Sequence, residues 1–128
     1  MSYKILVVDD SKLARMAVAK AFNTVRPDWS RTEAPSAEEA VRLAKASSFD
    51  IALLDFNMPE RDGLHLAADL KAIQPAMVLA VISANHQKEI VDRAQAVGAT
   101  FLAKPLTEQA LRDFLTGAEA KLKAPEAG

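Results

Sequence analysis

Short apolar runs alternate along this chain with longer stretches in which apolar positions return every three or four residues. That rhythm is the sequence sign of a parallel sheet joined by crossover helices. Ile5–Val8 reads as a buried strand that stops at two acids, Asp9 and Asp10, and either Asp10 or Ser11 can cap the helix that follows. That helix carries Leu13, Ala17, Ala21 and Val25 at helical spacing, widened by Ala14, Val18 and Phe22, until Pro27 prevents continuation. Ser30–Ala34 is a weaker second strand. Ser36, with Glu39 three positions on, forms a capping box ahead of a helix with Ala37, Ala40, Val41 and Ala44 on one face. Asp50–Leu54 reads as a third strand ended by Asp55, and the loop from Phe56 to Gly63 leads to a helix marked by Leu66, Leu70 and Ile73 and closed by Pro75. Met77–Ile82 is the clearest strand and ends at Ser83. Ile90, Ala94 and Val97 mark a fourth helix, with Gly98 placed to end it. Thr100–Leu102 is a short fifth strand, and after Lys104-Pro105 the residues Leu106, Ala110, Phe114, Ala118 and Leu122 form a last helical stripe. Five βα units without internal repeat predict an α/β fold with a doubly wound five-stranded parallel sheet.

Composition narrows what such a domain can do. The 128 residues fit one domain, expected over 1–122, with 123–128 as a tail or the start of a linker. Half of the residues are hydrophobic, enough for a real core and far from the signature of disorder. Lys and Arg total 16 against 17 Asp and Glu, so no global positive field exists to collect nucleic acid or anionic lipid. Direct nucleic-acid binding and membrane insertion are disfavoured accordingly. The longest apolar run, Ala76–Ile82, is far short of the roughly 20 residues a spanning helix needs. With no cysteine there is no disulfide, thiolate nucleophile or Cys-ligated metal, which suits a cytoplasmic location. The first residues pass from Lys4 straight into the first strand, without the apolar core of a secretory signal.

In an open α/β sheet the binding crevice lies beyond the carboxyl ends of the strands, so the polar residues at those ends carry the candidate chemistry. Asp9 and Asp10 follow the first strand, Asp55 the third, Ser83 the fourth and Lys104 the fifth. Three carboxylates converging in one crevice repel one another and call for a cation, and oxygen ligands without His or Cys favour Mg²⁺. A lysine ammonium and a serine hydroxyl on the opposite rim supply donors for a phosphoryl group.

This set resembles the receiver domain of two-component response regulators, the CheY-like family. The likeness spans nearly the whole chain. It is carried by Asp9-Asp10, by Asp55 with Met58-Pro59 and Asp62-Gly63 beyond it, by Ser83-Ala84, and by Lys104-Pro105. The resemblance implies strand order 2-1-3-4-5. It implies that Asp55 accepts a phosphoryl group from a phosphohistidine on a histidine kinase or histidine phosphotransfer protein. Asp10, Asp55 and the Asn57 main-chain carbonyl would hold Mg²⁺, with Asp9 acting largely through a bound water. Ser83 would hydrogen-bond the phosphoryl group and Lys104 would pair with it, with Lys104–Pro105 in the cis form that proline tolerates. Phe101 stands at the switch-aromatic position, expected to turn inward as Ser83 moves, with the change read by a downstream partner on the surface of helix 4, strand 5 and helix 5. Asn57 and Asn85, two positions past Asp55 and Ser83, would tune the lifetime of the acyl phosphate.

Two positions differ from common members of that family. Ser83 stands where threonine is also found, which leaves the donor but frees its rotamers, and Phe101 lacks the hydroxyl of a tyrosine. Two competing functions remain in view. A metal-dependent phosphohydrolase of the haloacid-dehalogenase type also uses a strand-end Asp, but Asn57 replaces the second acid such enzymes carry two residues on. A receiver-fold binding module that is never phosphorylated has no need for the clustered acids. His65 and His86 have no chelating pattern and read as surface residues, and Trp29 reads as packing or rim. Lys12 and Arg15 admit two readings, cations that dock an acidic kinase or a solvated helix face. The expected role is a phosphoryl-accepting signalling switch, not an enzyme acting on external substrate. The length favours a freestanding switch, and Lys123–Gly128 is equally readable as a linker inside a larger regulator.

Overall fold

Strands rich in Val, Ile, Leu and Ala, apolar on both faces, are stable where helices cover both sides of a sheet. In the computed structural model, which describes residues 3–58, 61–84 and 87–123, the strands are β1 (Lys4–Val8), β2 (Ser30–Ala34), β3 (Ile51–Asp55), β4 (Val78–Ser83) and β5 (Ala99–Ala103), and that apolar character belongs to β1, β3 and β4 rather than to the polar edge strand β2. The helices are α1 (Lys12–Val25), α2 (Ala37–Ala46), α3 (Gly63–Ile73), α4 (Lys88–Ala96) and α5 (Glu108–Lys123). Every pairing is parallel and the order is β2-β1-β3-β4-β5, as the resemblance implied.

Alternation along the strands divides the core in two. Ile5 and Val7 of β1, with Ile51 and Leu53 of β3, meet Val18 and Phe22 of α1 and Leu111 and Leu115 of α5. Leu6, Val8, Ala52 and Leu54 point the other way, beneath Ala40 and Ala44 of α2, Leu66 and Leu70 of α3, and Ala94 of α4.

The predicted elements occur in the predicted order, with two strands displaced by one residue. β3 is Ile51–Asp55 rather than Asp50–Leu54, and β4 is Val78–Ser83 rather than Met77–Ile82. The ladder continues to the polar ends because Phe56 N donates to Ile82 O at 2.9 Å and Lys104 N to Ser83 O at 3.0 Å. Ser11, rather than Asp10, caps α1, its side chain accepting from Ala14 N. Ser36 caps α2 by accepting from Glu39 N, while the Glu39 carboxylate is engaged by Arg42. Gly98 ends α4 with φ 78°, a conformation that side-chain-bearing residues adopt at a cost.

The predicted stripe of α1 needs correction. Val18, Phe22 and Val25 are buried, but Leu13 is 78% exposed and Ala17 faces solvent. At helical periodicity Leu13 stands about 140° round from Val18. So many apolar residues on α1 define two faces, and the sheet and α5 select the one that carries Phe22.

Candidate functional site

The carboxyl ends of β1, β3, β4 and β5 bring the sequence-predicted residues together. Asp9 is 6% exposed, Asp55 4% and Ser83 fully buried, a concentration of polar groups that a core does not hold without purpose. Asp9, Asp10 and Asp55 each present a carboxylate oxygen, and these three atoms lie within 4.8 Å of one another. Lys104 reaches over from the loop after β5, its Nζ 2.8 Å from Asp55 Oδ1 and 3.8 Å from Asp9 Oδ2. The Lys104–Pro105 peptide is cis, as expected.

The electrostatics follow from this crowding. Burial pushes the Asp9 carboxyl above its ordinary value, and the nearby Asp55 and Asp10 charges add to the rise against the Ser11 amide and Lys104. Burial acts to lower the Lys104 ammonium, yet its hydrogen bond to Asp55 and the pull of the three acids outweigh it, and the net direction is upward. Lys104 therefore stays charged, and it is one cation among three acids. Convergent hard oxygens, with no His or Cys in the cluster among the described residues, and a buried carboxyl crowded by like charges fit a small divalent cation such as Mg²⁺.

Local structure explains how each side chain is placed. Asp9 lies just past β1, where its N–H donates to Ala34 O at the end of β2 at 3.2 Å and its Oδ1 accepts from Ser11 N at 2.9 Å. Asp55 closes β3 opposite Ile82, and Ser83 closes β4 opposite Ala103. Phe101 is half-buried against the core beneath α3 and α4. Asn57 is exposed in the loop after β3; Asn85 and His86, like Pro59, lie outside the described residues. His65 is exposed at the start of α3 and shares a hydrogen bond with Asp62, while Trp29 is buried between Tyr3 and Phe22.

Two residues of the site escaped the sequence reading. Arg15 does not lie on a solvated face: its Nη1 donates to Asp9 O at 2.6 Å and its Nε to Glu33 Oε1 at 3.2 Å. Nothing local in the sequence links position 15 to position 33. Gly63, quoted only as part of a motif, packs directly on the Asp55 backbone.

Fold, strand-end acids and lysine together match the pattern of the receiver domain that the sequence resembles, and comparison with known proteins shows the same family. The sequence model of the response regulator receiver domain matches residues 5–116. The chemotaxis protein CheY of Bacillus subtilis is 32% identical over 111 residues, which cover 82% of this chain and 88% of that one. The transcriptional regulatory protein PdtaR of Mycobacterium tuberculosis is 34% identical over 107 residues, 81% of this chain but 50% of PdtaR, so the chain spans half the length of that relative. Among solved structures, the chemotaxis protein CheY4 of Vibrio cholerae superposes with a TM-score of 0.82 at 25% identity, covering 92% of this chain and 99% of that one. The chain belongs to the response regulator receiver domain family. Among the described residues, no helix is long and apolar enough to cross a membrane.

Proposed function

We propose that this domain is a Mg²⁺-dependent phosphoryl-accepting switch of a two-component phosphorelay, working in the cytoplasm. The observation that carries it is the Lys104 ammonium 2.8 Å from Asp55 Oδ1 at the edge of a three-carboxylate crevice. An Asp55 oxygen attacks the phosphorus of a phosphohistidine, the P–N bond breaks with its electrons returning to the imidazole, and an acyl phosphate forms. Asp9, Asp10, Asp55 and the Asn57 carbonyl are the residues that would hold Mg²⁺, which when bound supplies positive charge to the phosphoryl oxygens. Lys104 then exchanges its Asp55 contact for a phosphoryl oxygen, and the Ser83 hydroxyl donates to another. The identities of Asn57 and Asn85 tune the lifetime of the acyl phosphate.

Addition of about −1.5 to −2 of charge draws Ser83 and Lys104 towards it, and Phe101 follows the space Ser83 leaves. A downstream protein reads that shift on the face of α4, β5 and α5. The phosphohistidine donor, a histidine kinase or phosphotransfer protein, approaches from the α1 side. There Leu13 and Met16, 78% and 55% exposed, are the large apolar residues left open among the described ones. The domain is not an enzyme acting on external substrates, although it assists its own modification. The unit 1–122 carries the function.

Intact mass after incubation with acetyl phosphate and Mg²⁺ tests this reading. A single labile phosphoryl adduct is expected, absent from Asp55→Asn and from a chelated sample. No adduct on folded protein, with phosphoramidate also tried, would favour a binding module that works unphosphorylated. Turnover of a phosphate ester would favour a phosphohydrolase.

A further inference from the structure

We propose that Arg15 is a positioning residue for the acidic crevice: its guanidinium, braced by Glu33 on β2, locks the peptide between Asp9 and Asp10 and so aims the exposed Asp10 carboxylate at the divalent cation. The inference rests on the metal-dependent reading above.

Asp9 stands one residue beyond β1, where the ladder no longer dictates the direction of its carbonyl. That carbonyl belongs to the Asp9–Asp10 peptide, and its orientation sets where the Asp10 side chain departs from the backbone. Arg15 Nη1 donates to it at 2.6 Å, a charge-assisted bond, from a side chain only 15% exposed. The same guanidinium turns its Nε to Glu33 Oε1 at 3.2 Å, and the other Glu33 oxygen lies 3.6 Å from Arg31 Nε. Arg31 in turn reaches Asn23 of α1 with Nη1 at 3.0 Å. The fork is thus held at its far end by two elements, and the near end has one place to point. Together with Ser11 N on Asp9 Oδ1 and Asp9 N on Ala34 O, it fixes the turn against mutual repulsion of the acids.

Charge alone cannot explain a guanidinium here, because a cation beside a cation site opposes metal binding. Its two effects have opposite signs, which makes the proposal testable. If Arg15 acts through geometry, removing it weakens Mg²⁺ binding; if it acts only through charge, removing it tightens binding. Lysine keeps the charge but loses the rigid two-pronged fork, so it reaches one acceptor at a time.

The test is calorimetric titration of Mg²⁺ into wild type, Arg15→Met and Arg15→Lys, with amide hydrogen exchange at Asp10 and Ser11 read without metal. Met keeps the bulk of the stem and removes every donor. We expect Arg15→Met to bind Mg²⁺ about ten-fold more weakly, the lower range for partners that orient metal ligands. Arg15→Lys should fall between it and wild type. Exchange should quicken at Asp10 and Ser11 in Arg15→Met but not in the core strands, which separates lost positioning from general loosening. Equal or tighter binding by Arg15→Met overturns the proposal. Should that variant not fold, Arg15→Lys decides: weaker binding with faster Ser11 exchange supports it, and unchanged or tighter binding overturns it. Wild type that binds no Mg²⁺ sinks the metal-dependent reading and this one together. Wild type that binds, with variants that match it, sinks this one alone.

Discussion

Gly63 packs its α-carbon against the peptide that follows Asp55. A Cβ built there falls 2.5 Å from the Asp55 carbonyl oxygen and 3.0 Å from both Asp55 C and Phe56 Cα, while Gly63 N donates to Phe56 O at 3.0 Å. These neighbours are backbone, so no rotamer change relieves the clash, and the main chain that carries Asp55 must move. Gly63→Ala is expected to cost about 1–3 kcal/mol, the usual range for overpacking. Denaturant unfolding measures the loss, and Gly63→Ala should also slow adduct formation with acetyl phosphate, because the shift is transmitted to Asp55. Unchanged stability would show that the loop after β3 yields freely.

At the scale of elements, the start of α3 depends on Asp62, whose carboxylate accepts from His65 N at 2.9 Å and faces His65 Nδ1 at 3.0 Å. Asp62→Ala is expected to destabilise the fold by about 1 kcal/mol, as for other lost caps. Burial acts to raise the Asp62 carboxyl, but hydrogen bonds from the His65 amide and ring, the His65 charge and the Leu64 amide prevail and hold it below its ordinary value of 3.8. A depressed carboxylate stabilises the fold fully above the unfolded value and loses that contribution as pH falls through the folded one. The stability gap between wild type and Asp62→Asn, followed by thermal melts, should therefore shrink as pH falls below 3.8. A gap that grows as pH falls below 3.8 would contradict the sign. The Arg61–Asp69 pair beside it is exposed and adds little at this end of the helix.

For the molecule as a whole, chemistry and packing occupy opposite ends of the sheet. Trp29 meets Tyr3 at a centroid distance of 5.0 Å and Phe22 at 6.0 Å, with the Arg26 guanidinium 5.5 Å from its ring, at the amino ends of β1 and β2. Arg26 also closes onto α5 through Glu119 at 2.6 Å. Trp29 emission should change when denaturant unfolds the protein and stay constant when Mg²⁺ is added. Mg²⁺ should nonetheless raise the unfolding free energy by mass action, by about 2.7 kcal/mol at a free concentration of a hundred times Kd, and a chelator should reverse it. An emission change on adding Mg²⁺ would reveal coupling between the two ends.

The order of elements, the class of fold and the polar residues at the strand tips were legible along the chain because periodicity and chain breakers are local. Ile5–Val8 before Asp9, or Met77–Ile82 before Ser83, needs no partner to be recognised. Strand order and the family roles of Asp55 and Lys104 came from likeness to other receivers. What the tertiary structure alone decided were relations between distant positions. It chose the Phe22 face of α1 over the Leu13 face, because only the sheet and α5 distinguish two apolar stripes on one helix. It carried β3 and β4 one residue further, because a parallel ladder ends where its neighbour stops offering carbonyls. It turned Arg15 inward to Glu33 and the Asp9 carbonyl, because an ion pair across eighteen positions exists only once β2 lies beside β1. The acids themselves could be read from the chain, but what aims them depended on the pairing of strands.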